Sequence, residues 1–184
     1  MKYKTVFDEH HLYFVTCTIA GWKPIFTDPV YADIVLQSLA WLRRHGHIQL
    51  FAFVVMPTHL HAIIKPLTGT ADQLVQRFAS FTAHEILKQL RRDHKAEFLA
   101  FFRQAAQQDH DREHRIWEEA LAKNVHSEAF LFQKMEYIHN NPVDKDWRLV
   151  TDRADYPYSS ACFYDRGEKP IIEVDDIAIV LGLL

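Results

Sequence analysis

Two histidines separated by one residue, His59 and His61, are the side chains in this sequence best placed to hold a metal ion. They lie between apolar, β-branched runs that predict strands. Side chains alternate faces along a strand, so both imidazoles point the same way while Leu60 points to the other side. A polar group between apolar runs costs free energy unless it has a partner, and a shared ion would be one. The spacing alone is weakly selective, because 12 histidines in 184 residues give roughly 0.8 such pairs by chance.

Two other histidine pairs are weaker metal-site candidates. His45 and His47 flank Gly46 after two arginines, a pattern typical of a solvated helix end with a glycine stop. His110 and His114 have the i, i+4 spacing of helical metal ligands, with acidic residues between them. Because no apolar sequence surrounds the second pair to hold its ligands, we expect a solvated loop there.

Tyr137 lies on a predicted C-terminal helix and is a second side chain whose position could matter for chemistry. Three apolar residues define the core face of that helix, Leu131, Met135 and Ile138. At 100° per residue, Tyr137 and Asn141 fall on the same flank, one turn apart. We expect the Tyr137 ring at the boundary of the core, half-buried. Pro142 biases Asn141 away from helical angles, so we expect this neighbour relation to be distorted.

The predicted elements that position these residues have the order βαββαβ plus a helix. Strands are expected at residues 12–20, 48–56, 59–65 and 116–125. Helices are expected from Asp28 and Pro29 to about Arg44, from the cap Thr70 to before Arg103, and from Ser127 to Pro142. The segment 104–115 reads as a loop. This order predicts an α+β, ferredoxin-like antiparallel sheet with helices mainly on one face, extended by an additional C-terminal helix that carries Tyr137.

Composition is that of one globular domain over residues 1–184, with a core of about 10–160 and a tail of 161–184 that could pack on the core or on a second subunit. The two cysteines form no disulfide framework, and the sequence has neither a signal peptide nor a long apolar span. We therefore expect a cytoplasmic protein without a membrane partner. The net charge of −3 disfavours broad nucleic-acid binding, so any such site must be local.

Three blocks of the sequence resemble one family. They are the block from Val55 to Ile64, the block Tyr137-Ile138-His139-Asn140-Asn141-Pro142-Val143, and the block Tyr156-Pro157-Tyr158-Ser159-Ser160. Their order and spacing look like those of the REP-associated tyrosine transposases, which are single-tyrosine HUH transposases. In the HUH motif the U is a hydrophobic residue, here Leu60.

The resemblance implies cutting and joining of single-stranded DNA next to REP-like hairpins, through a covalent 5′-phosphotyrosine intermediate. It implies that Tyr137 is the nucleophile and that His59, His61 and Asn141 hold a divalent metal. Two imidazoles and an amide do not select one ion, and cellular availability makes Mg²⁺ or Mn²⁺ the expectation. Such an enzyme would associate with the nucleoid when bound to DNA. Both monomers and homodimers are compatible with the resemblance.

Basic and aromatic residues supply further candidate DNA contacts. The basic candidates for phosphate contact are Arg43, Arg44, Lys88, Arg91, Arg92, Lys95, Arg103 and Lys134. Lys134 precedes Tyr137 by one turn and could also help it to ionise, since a free phenol is protonated at neutral pH. Trp22, Trp117 and Trp147 could stack on unpaired bases, although core packing is the stronger expectation for Trp117.

The chain departs from the family pattern at several positions. Thr58 precedes His59 where Asn, Asp or Glu is usual, and Glu118 follows Trp117 where Gln is common. The segment Asp144-Lys145-Asp146-Trp147 replaces a basic-Ala-Gly run, which places negative charge beside the proposed site.

Two other hypotheses about the function stay open. One is a catalytically silent nucleic-acid-binding or regulatory module on the same fold. The other is a hydrolase that uses metal-activated water and needs no tyrosine.

Overall fold

The computed structural model describes residues 12–107 and 113–181. The strands are β1 (Leu12–Ile19), β2 (Ile48–Met56), β3 (His59–Pro66) and β4 (Trp117–Val125). The helices are α1 (Pro29–Arg44), α2 (Ala71–Arg92), α3 (Ala96–Ala105), α4 (Glu128–Asn140), α5 (Ala161–Arg166) and α6 (Ile177–Leu181). Short 3₁₀ turns lie at Ala20–Trp22, Ile25–Thr27, Asn141–Val143 and Arg153–Asp155.

The four strands form one antiparallel sheet in the order β2-β3-β1-β4. A tight turn joins β2 to β3 as a hairpin, and helical crossovers connect β1 to β2 and β3 to β4. This is the predicted α+β, ferredoxin-like topology, and the hairpin that carries the histidine pair is confirmed. The predicted caps are also present, because the side chains of Asp28, Thr70 and Ser127 each accept a hydrogen bond from a backbone N–H of their helix.

Helices cover both faces of the sheet. The helices α1, α2 and α3 pack on one face, where Leu60 and Ala62 of β3 point. The helix α4 packs on the other face, where Phe14 and Ile63 meet Ile138. The expectation of helices mainly on one face therefore holds for α1 to α3, while α4 lies on the face that carries His59 and His61. Alternation along β3 sends its apolar and histidine side chains to opposite layers.

The predicted single helix after Thr70 is wrong, because the structure divides it into α2 and α3. The chain turns at His94, whose φ of 53° is left-handed, and Asp93 there accepts a hydrogen bond from the Tyr31 hydroxyl. The second helix then runs past Arg103 to Ala105, so the predicted loop from 104 begins two residues late. No glycine or proline marks the break, which is why sequence pattern did not reveal it.

The C-terminal segment packs against the outer edge strand β2 of its own chain. The backbone N–H of Asp175 donates to Leu50 at 2.7 Å, and the Asp175 carboxylate accepts from the Leu50 N–H at 2.9 Å. Farther along β2, Val54 pairs with Ser159. Ile177 is buried in the layer beneath α4. Residues of the tail thus satisfy backbone groups that an edge strand would otherwise expose.

None of the helices within the described residues is long and apolar enough to cross a membrane.

Candidate active site

The two histidines of β3 lie side by side beneath α4. His61 faces Thr16 across the sheet and His59 faces Thr18, both in direct register with β1. The imidazole centroids are 4.9 Å apart, and each residue is only 5% exposed. The alternation predicted from sequence therefore places both rings in one partly enclosed position.

Threonine hydroxyls contact the Nδ1 atom of each ring. Thr58 Oγ1 lies 3.0 Å from His59 Nδ1, and Thr16 Oγ1 lies 3.1 Å from His61 Nδ1. A hydroxyl oxygen can accept the Nδ1 proton, and this tautomer leaves the Nε2 lone pair available to a metal. A hydrogen bond of this kind to the far nitrogen is what orients histidine ligands in metal sites. Thr58, which differs from the residues usual at this position in the family that the sequence resembles, thus contacts His59 directly. In the hydrogen bond between His59 and Asn141 Oδ1 the proton is instead on Nε2, so His59 must change tautomer to bind an ion.

Burial keeps both imidazoles neutral. It lowers the pKa of His59, opposed by the hydrogen bond to Asn141. It lowers the pKa of His61 to about 3, and the neighbouring His59 acts in the same direction. Desolvation disfavours the charged form of histidine, and the neutral form is the one that ligates a metal.

The helix α4 brings Tyr137 and Asn141 to the histidines. Its predicted core residues, Leu131, Met135 and Ile138, are all buried and fix the rotation of the helix. The Tyr137 ring centroid lies 5.2 Å from that of His61, while 49% of the residue stays exposed. Asn141 Oδ1 lies 3.3 Å from His59 Nε2. The structure therefore brings together the four residues Tyr137, His59, His61 and Asn141.

The expected distortion at Asn141 is absent. Its φ of −48° and ψ of −47° are helical, and its side-chain Nδ2 donates to the Tyr137 carbonyl at 2.8 Å. Pro142 does not distort the end of the helix, because the chain continues there into a 3₁₀ turn. The first positions of such a turn tolerate a proline, which lacks an N–H. The preference that proline imposes on its predecessor is overridden by this turn, so the one-turn neighbour relation of Tyr137 and Asn141 survives.

The donor set fits a divalent metal. His61 Nε2 is buried without a hydrogen-bond partner among the described residues, an arrangement that costs free energy unless a ligand or ion occupies it. The nearby donors are His59 Nε2 and the amide oxygen of Asn141. No group of three His, Cys, Asp or Glu side chains suited to a metal occurs in the described part of the chain, so an amide would complete the set.

Lys134 and Phe14 form the wall beside Tyr137. Lys134 Nζ lies 4.7 Å from the Phe14 ring centroid and 5.3 Å from the Tyr137 ring centroid. The Phe14 ring stacks on His61 at 5.1 Å and contacts the edge of Tyr137 at 6.1 Å. Lys134 is thus the basic candidate that the structure places against the tyrosine. Its ammonium group places a positive charge beside the Tyr137 ring.

The other basic candidates lie on the helices of the opposite face. Three of them are paired with acidic residues: Arg43 with Glu173 and Asp175, Lys88 with Glu85, and Arg103 with Glu113. Four are exposed: Arg44, Arg91, Arg92 and Lys95. The sheet separates all seven from the histidine pair.

The three tryptophans divide into two environments. Trp117 is buried, and its indole N–H donates to the Ala79 carbonyl and to Thr82, each at 3.1 Å, as core packing predicts. The rings of Trp22 and Trp147 lie 5.7 and 5.9 Å from the His59 ring. Two of the three candidates for base stacking therefore flank the site.

The rival histidine pairs gain no support as metal sites. His45 and His47 sit at the end of α1, where both rings stack on the half-exposed Trp41. Gly46 between them has the expected left-handed φ of 70°. His110 lies outside the described residues, and His114 lies in irregular chain between α3 and β4.

Sequence reasoning missed the roles of Phe14 and Thr16. Both point to the face of β1 that neighbours the histidines, and alternation in β1 alone would have placed them on one face. Their proximity to His61 required the pairing register of β1 with β3, which sequence did not provide.

The architecture is a ferredoxin-like α+β fold with an added helix across the histidine face. A solved REP-associated tyrosine transposase bound to a REP hairpin shares it, with a TM-score of 0.62 and 17% identity over 96% of this chain and 93% of that chain. A candidate transposase from Deinococcus radiodurans R1 gives a TM-score of 0.46 and 18% identity over 76% of this chain and 97% of that chain. No family model and no curated protein matches the sequence. At these identities the first likeness establishes the fold, and it agrees with the resemblance found in the sequence.

Proposed function

We propose that the protein is a metal-dependent endonuclease and strand transferase of single-stranded DNA, a transposase that acts through a covalent 5′-phosphotyrosine intermediate. The observation that carries the proposal is the convergence of Tyr137, His59, His61 and Asn141 beneath one helix. These residues come from two elements more than 70 positions apart in sequence. Their convergence around His61 Nε2, which has no partner within residues 12–107 and 113–181, has no evident structural purpose, since an apolar side chain would pack there without an unsatisfied nitrogen.

Tyr137 has the exposure that a nucleophile for a macromolecular substrate requires. In the proposed step the phenol gives up its proton to solvent, its oxygen attacks the scissile phosphorus, and the new P–O bond joins the protein to the 5′ phosphate of the downstream strand while the bond to the 3′ oxygen breaks. The leaving 3′ oxygen takes up a proton and becomes a free 3′ hydroxyl. Because the phosphodiester energy is kept in phosphotyrosine, another DNA 3′ hydroxyl can reverse the step and join strands without ATP.

The residues His59, His61 and Asn141 would hold the divalent ion, with Mg²⁺ or Mn²⁺ as the expected species. Such an ion supplies Lewis-acid polarisation of the scissile phosphate. The protein's own contribution is orientation. Thr16 and Thr58 fix the imidazoles, and Asn141 ties the position of His59 to the helix that carries Tyr137.

Hairpin DNA is the proposed substrate. The solved transposase that shares this fold is bound to a REP hairpin, and the three sequence blocks resemble the same class. A tyrosine that is 49% exposed beside buried histidines also suits an unpaired strand, whose phosphate can approach without a second strand in the way.

The test is a covalent-capture assay. The protein is incubated with 3′-labelled hairpin DNAs that carry single-stranded flanks, with Mn²⁺ or Mg²⁺, and resolved on a denaturing gel. We expect label to travel with the protein, to require the metal, and to be lost in Tyr137→Phe and in His59→Ala. Matched controls are Tyr13→Phe, on the adjoining strand, and His47→Ala, from the exposed pair at the end of α1, and both should retain the adduct.

Two results would contradict the proposal. Free cleavage products that survive Tyr137→Phe would identify water as the nucleophile and favour the hydrolase. Hairpin binding without adduct across a diverse hairpin pool would favour the silent binding module.

A further inference from the structure

Trp22 is a large apolar side chain left in solvent at the edge of the candidate active site. It is 60% exposed, and its ring meets that of His59 edge-on at 5.7 Å and 69°. Tryptophan is buried on average because its ring has a large apolar area. Packing in the core does not account for an exposed indole beside His59, whereas contact with a ligand would.

The turn that holds Trp22 is built to present it. Trp22 has a left-handed φ of 53°, a conformation that is disfavoured for a bulky residue and persists only where the surroundings enforce it. Gly21 before it has a φ of 59°, and a Cβ there would lie 2.6 Å from the Phe101 ring of α3. The preceding backbone is anchored on both sides, because Ile19 N–H donates to Thr58 and Ala20 N–H donates to Ile116.

Trp147 supplies a second ring on the same histidine. Its centroid lies 5.9 Å from that of His59, at an interplanar angle of 55°. It follows the 3₁₀ turn after α4, and its backbone N–H donates to the Asp144 carbonyl at 3.0 Å. Trp147 is partly buried against the α4 layer, so its ring is held in place. Two indoles from distant parts of the chain thus each contact the same proposed metal ligand.

We propose that Trp22, which shares its contact with His59 with Trp147, forms a stacking platform for an unpaired nucleobase next to the scissile phosphate. The inference rests on the proposed function and deepens it, because it assigns positioning residues for the strand that Tyr137 cuts. Every base has a π-face, so stacking on indole is tolerant of sequence but requires the base to be unpaired. The platform would therefore select single-stranded DNA over duplex at this position.

The charge around the site favours stacking as the source of affinity. The chain carries a net charge of −3, and seven of its eight candidate phosphate contacts lie on the opposite face of the sheet. Asp144, Lys145, Asp146 and Arg148 flank Trp147 in sequence, so this segment has no net positive charge to attract phosphates. With electrostatic attraction limited there, contact with the uncharged faces of bases remains available to hold the strand.

The test is a double-mutant cycle that combines a substitution at Trp22 with abasic nucleotides in the DNA. Binding is measured in the Tyr137→Phe background, which cannot cut, with hairpins in which single flanking nucleotides are replaced in turn by abasic ones. We expect one or two positions where base removal weakens binding about tenfold. At those positions Trp22→Ala should weaken binding of intact DNA by a similar factor and remove the effect of the abasic nucleotide, whereas Trp22→Phe should retain part of it.

Trp41→Ala is the matched control, because Trp41 is also exposed, at 47%, but lies on α1 on the opposite face. It should leave the abasic profile unchanged. Far-ultraviolet circular dichroism verifies that the Trp22 variants fold. An abasic profile that is identical with and without the Trp22 ring would overturn the platform even if the covalent adduct forms. If the wild-type protein forms no covalent adduct but the loss of the Trp22 ring still removes the effect of the abasic nucleotide, the proposed transferase activity is wrong and the stacking platform is supported.

Discussion

Asn141 links Tyr137 on α4 to His59 on β3 through the nitrogen and the oxygen of its side-chain amide. Its Nδ2 donates to the Tyr137 carbonyl at 2.8 Å, and its Oδ1 lies 3.3 Å from His59 Nε2. The distance between nucleophile and histidines is therefore set by a side chain at the end of α4 and by the packing of that helix. Because the amide makes both contacts, a change at Asn141 should alter metal affinity and helix stability together.

We expect Asn141→Ala to weaken Mn²⁺ binding at least tenfold, because the amide oxygen is lost from the donor set. It should also lower the free energy of unfolding by about 1 kcal/mol through loss of the bond to the Tyr137 carbonyl. Calorimetric titration with Mn²⁺ and urea unfolding measure the two effects. The exposed neighbour Asn140 offers the control Asn140→Ala, which should keep its affinity for Mn²⁺. Equal Mn²⁺ affinity in wild type and Asn141→Ala would exclude the amide as a ligand.

Thr16→Val tests whether the hydroxyl beside His61 orients that ring. Valine keeps the shape and suits a strand, while the contact to Nδ1 at 3.1 Å is removed. We expect Mn²⁺ affinity to fall about 10-fold or more, as it does for lost partners of ligand histidines, with the fold retained. Thr68→Val removes a comparable hydroxyl from His47 Nδ1 at the exposed pair and should leave Mn²⁺ affinity unchanged. A fall of the same size in Thr68→Val would refute the assignment.

Lys134→Gln should slow formation of the covalent adduct about tenfold, since a positive charge is removed from beside the Tyr137 ring. The rate constant is measured in single-turnover reactions with saturating hairpin DNA, so that weaker binding does not contribute. Lys88→Gln removes a lysine from the opposite face and should react at the wild-type rate. If Lys134→Gln changes only the apparent Kd for DNA, Lys134 binds phosphate and does not assist the tyrosine.

His139 makes the stability of the fold depend on pH. It is buried and hydrogen-bonded to Ser160 at 2.9 Å, and burial, assisted by Arg153, lowers its pKa to about 4. Because the folded pKa lies below the unfolded value of about 6.5, folding favours the neutral ring. Its contribution is complete above pH 6.5 and is lost as the pH falls towards 4, at up to about 1.4 kcal/mol per pH unit.

Urea unfolding between pH 7 and 4.5 measures this slope. His139→Gln should reduce the slope, while the exposed His126→Gln should not. His59, His61 and His114, whose pKa values burial also lowers, contribute in the same direction to the slope that remains. An unchanged slope in His139→Gln would show that protonation of this ring is not coupled to folding.

Local pattern predicted most of the framework, and the failures occurred where distant residues decide the geometry. The strand Ile48–Met56 and the caps at Asp28 and Ser127 follow from apolar runs and capping chemistry, which are local properties. The division of the helix at His94 depends on tertiary contacts such as that of Tyr31 with Asp93. The position of Trp22 beside His59 likewise depends on how Phe101 packs on Gly21, a relation that no local pattern contains.

Arg43 shows how tertiary contacts can overrule the role that a basic residue is given from sequence. From sequence it was a candidate for phosphate contact, but its guanidinium is bonded to Asp175 at 3.0 and 3.1 Å and to Glu173 at 3.1 Å. These bonds raise the pKa of Arg43 and fasten the C-terminal segment along β2. Asp175 in turn exchanges hydrogen bonds with Leu50, where a register shift interrupts the pairing of β2 with β3.

We therefore expect Arg43→Ala to lower the free energy of unfolding by about 1 kcal/mol and to loosen the C-terminal segment over β2. An uncovered edge strand can pair with another chain, so association should increase with protein concentration. Hydrogen exchange at Leu50 and Asp175, with light scattering for association, measures both effects. Arg44→Ala removes the adjacent exposed arginine and should change neither. If Arg43→Ala leaves exchange unaltered but weakens DNA binding, the ion pairs do not hold the segment and the phosphate contact expected from sequence is the better account of this residue.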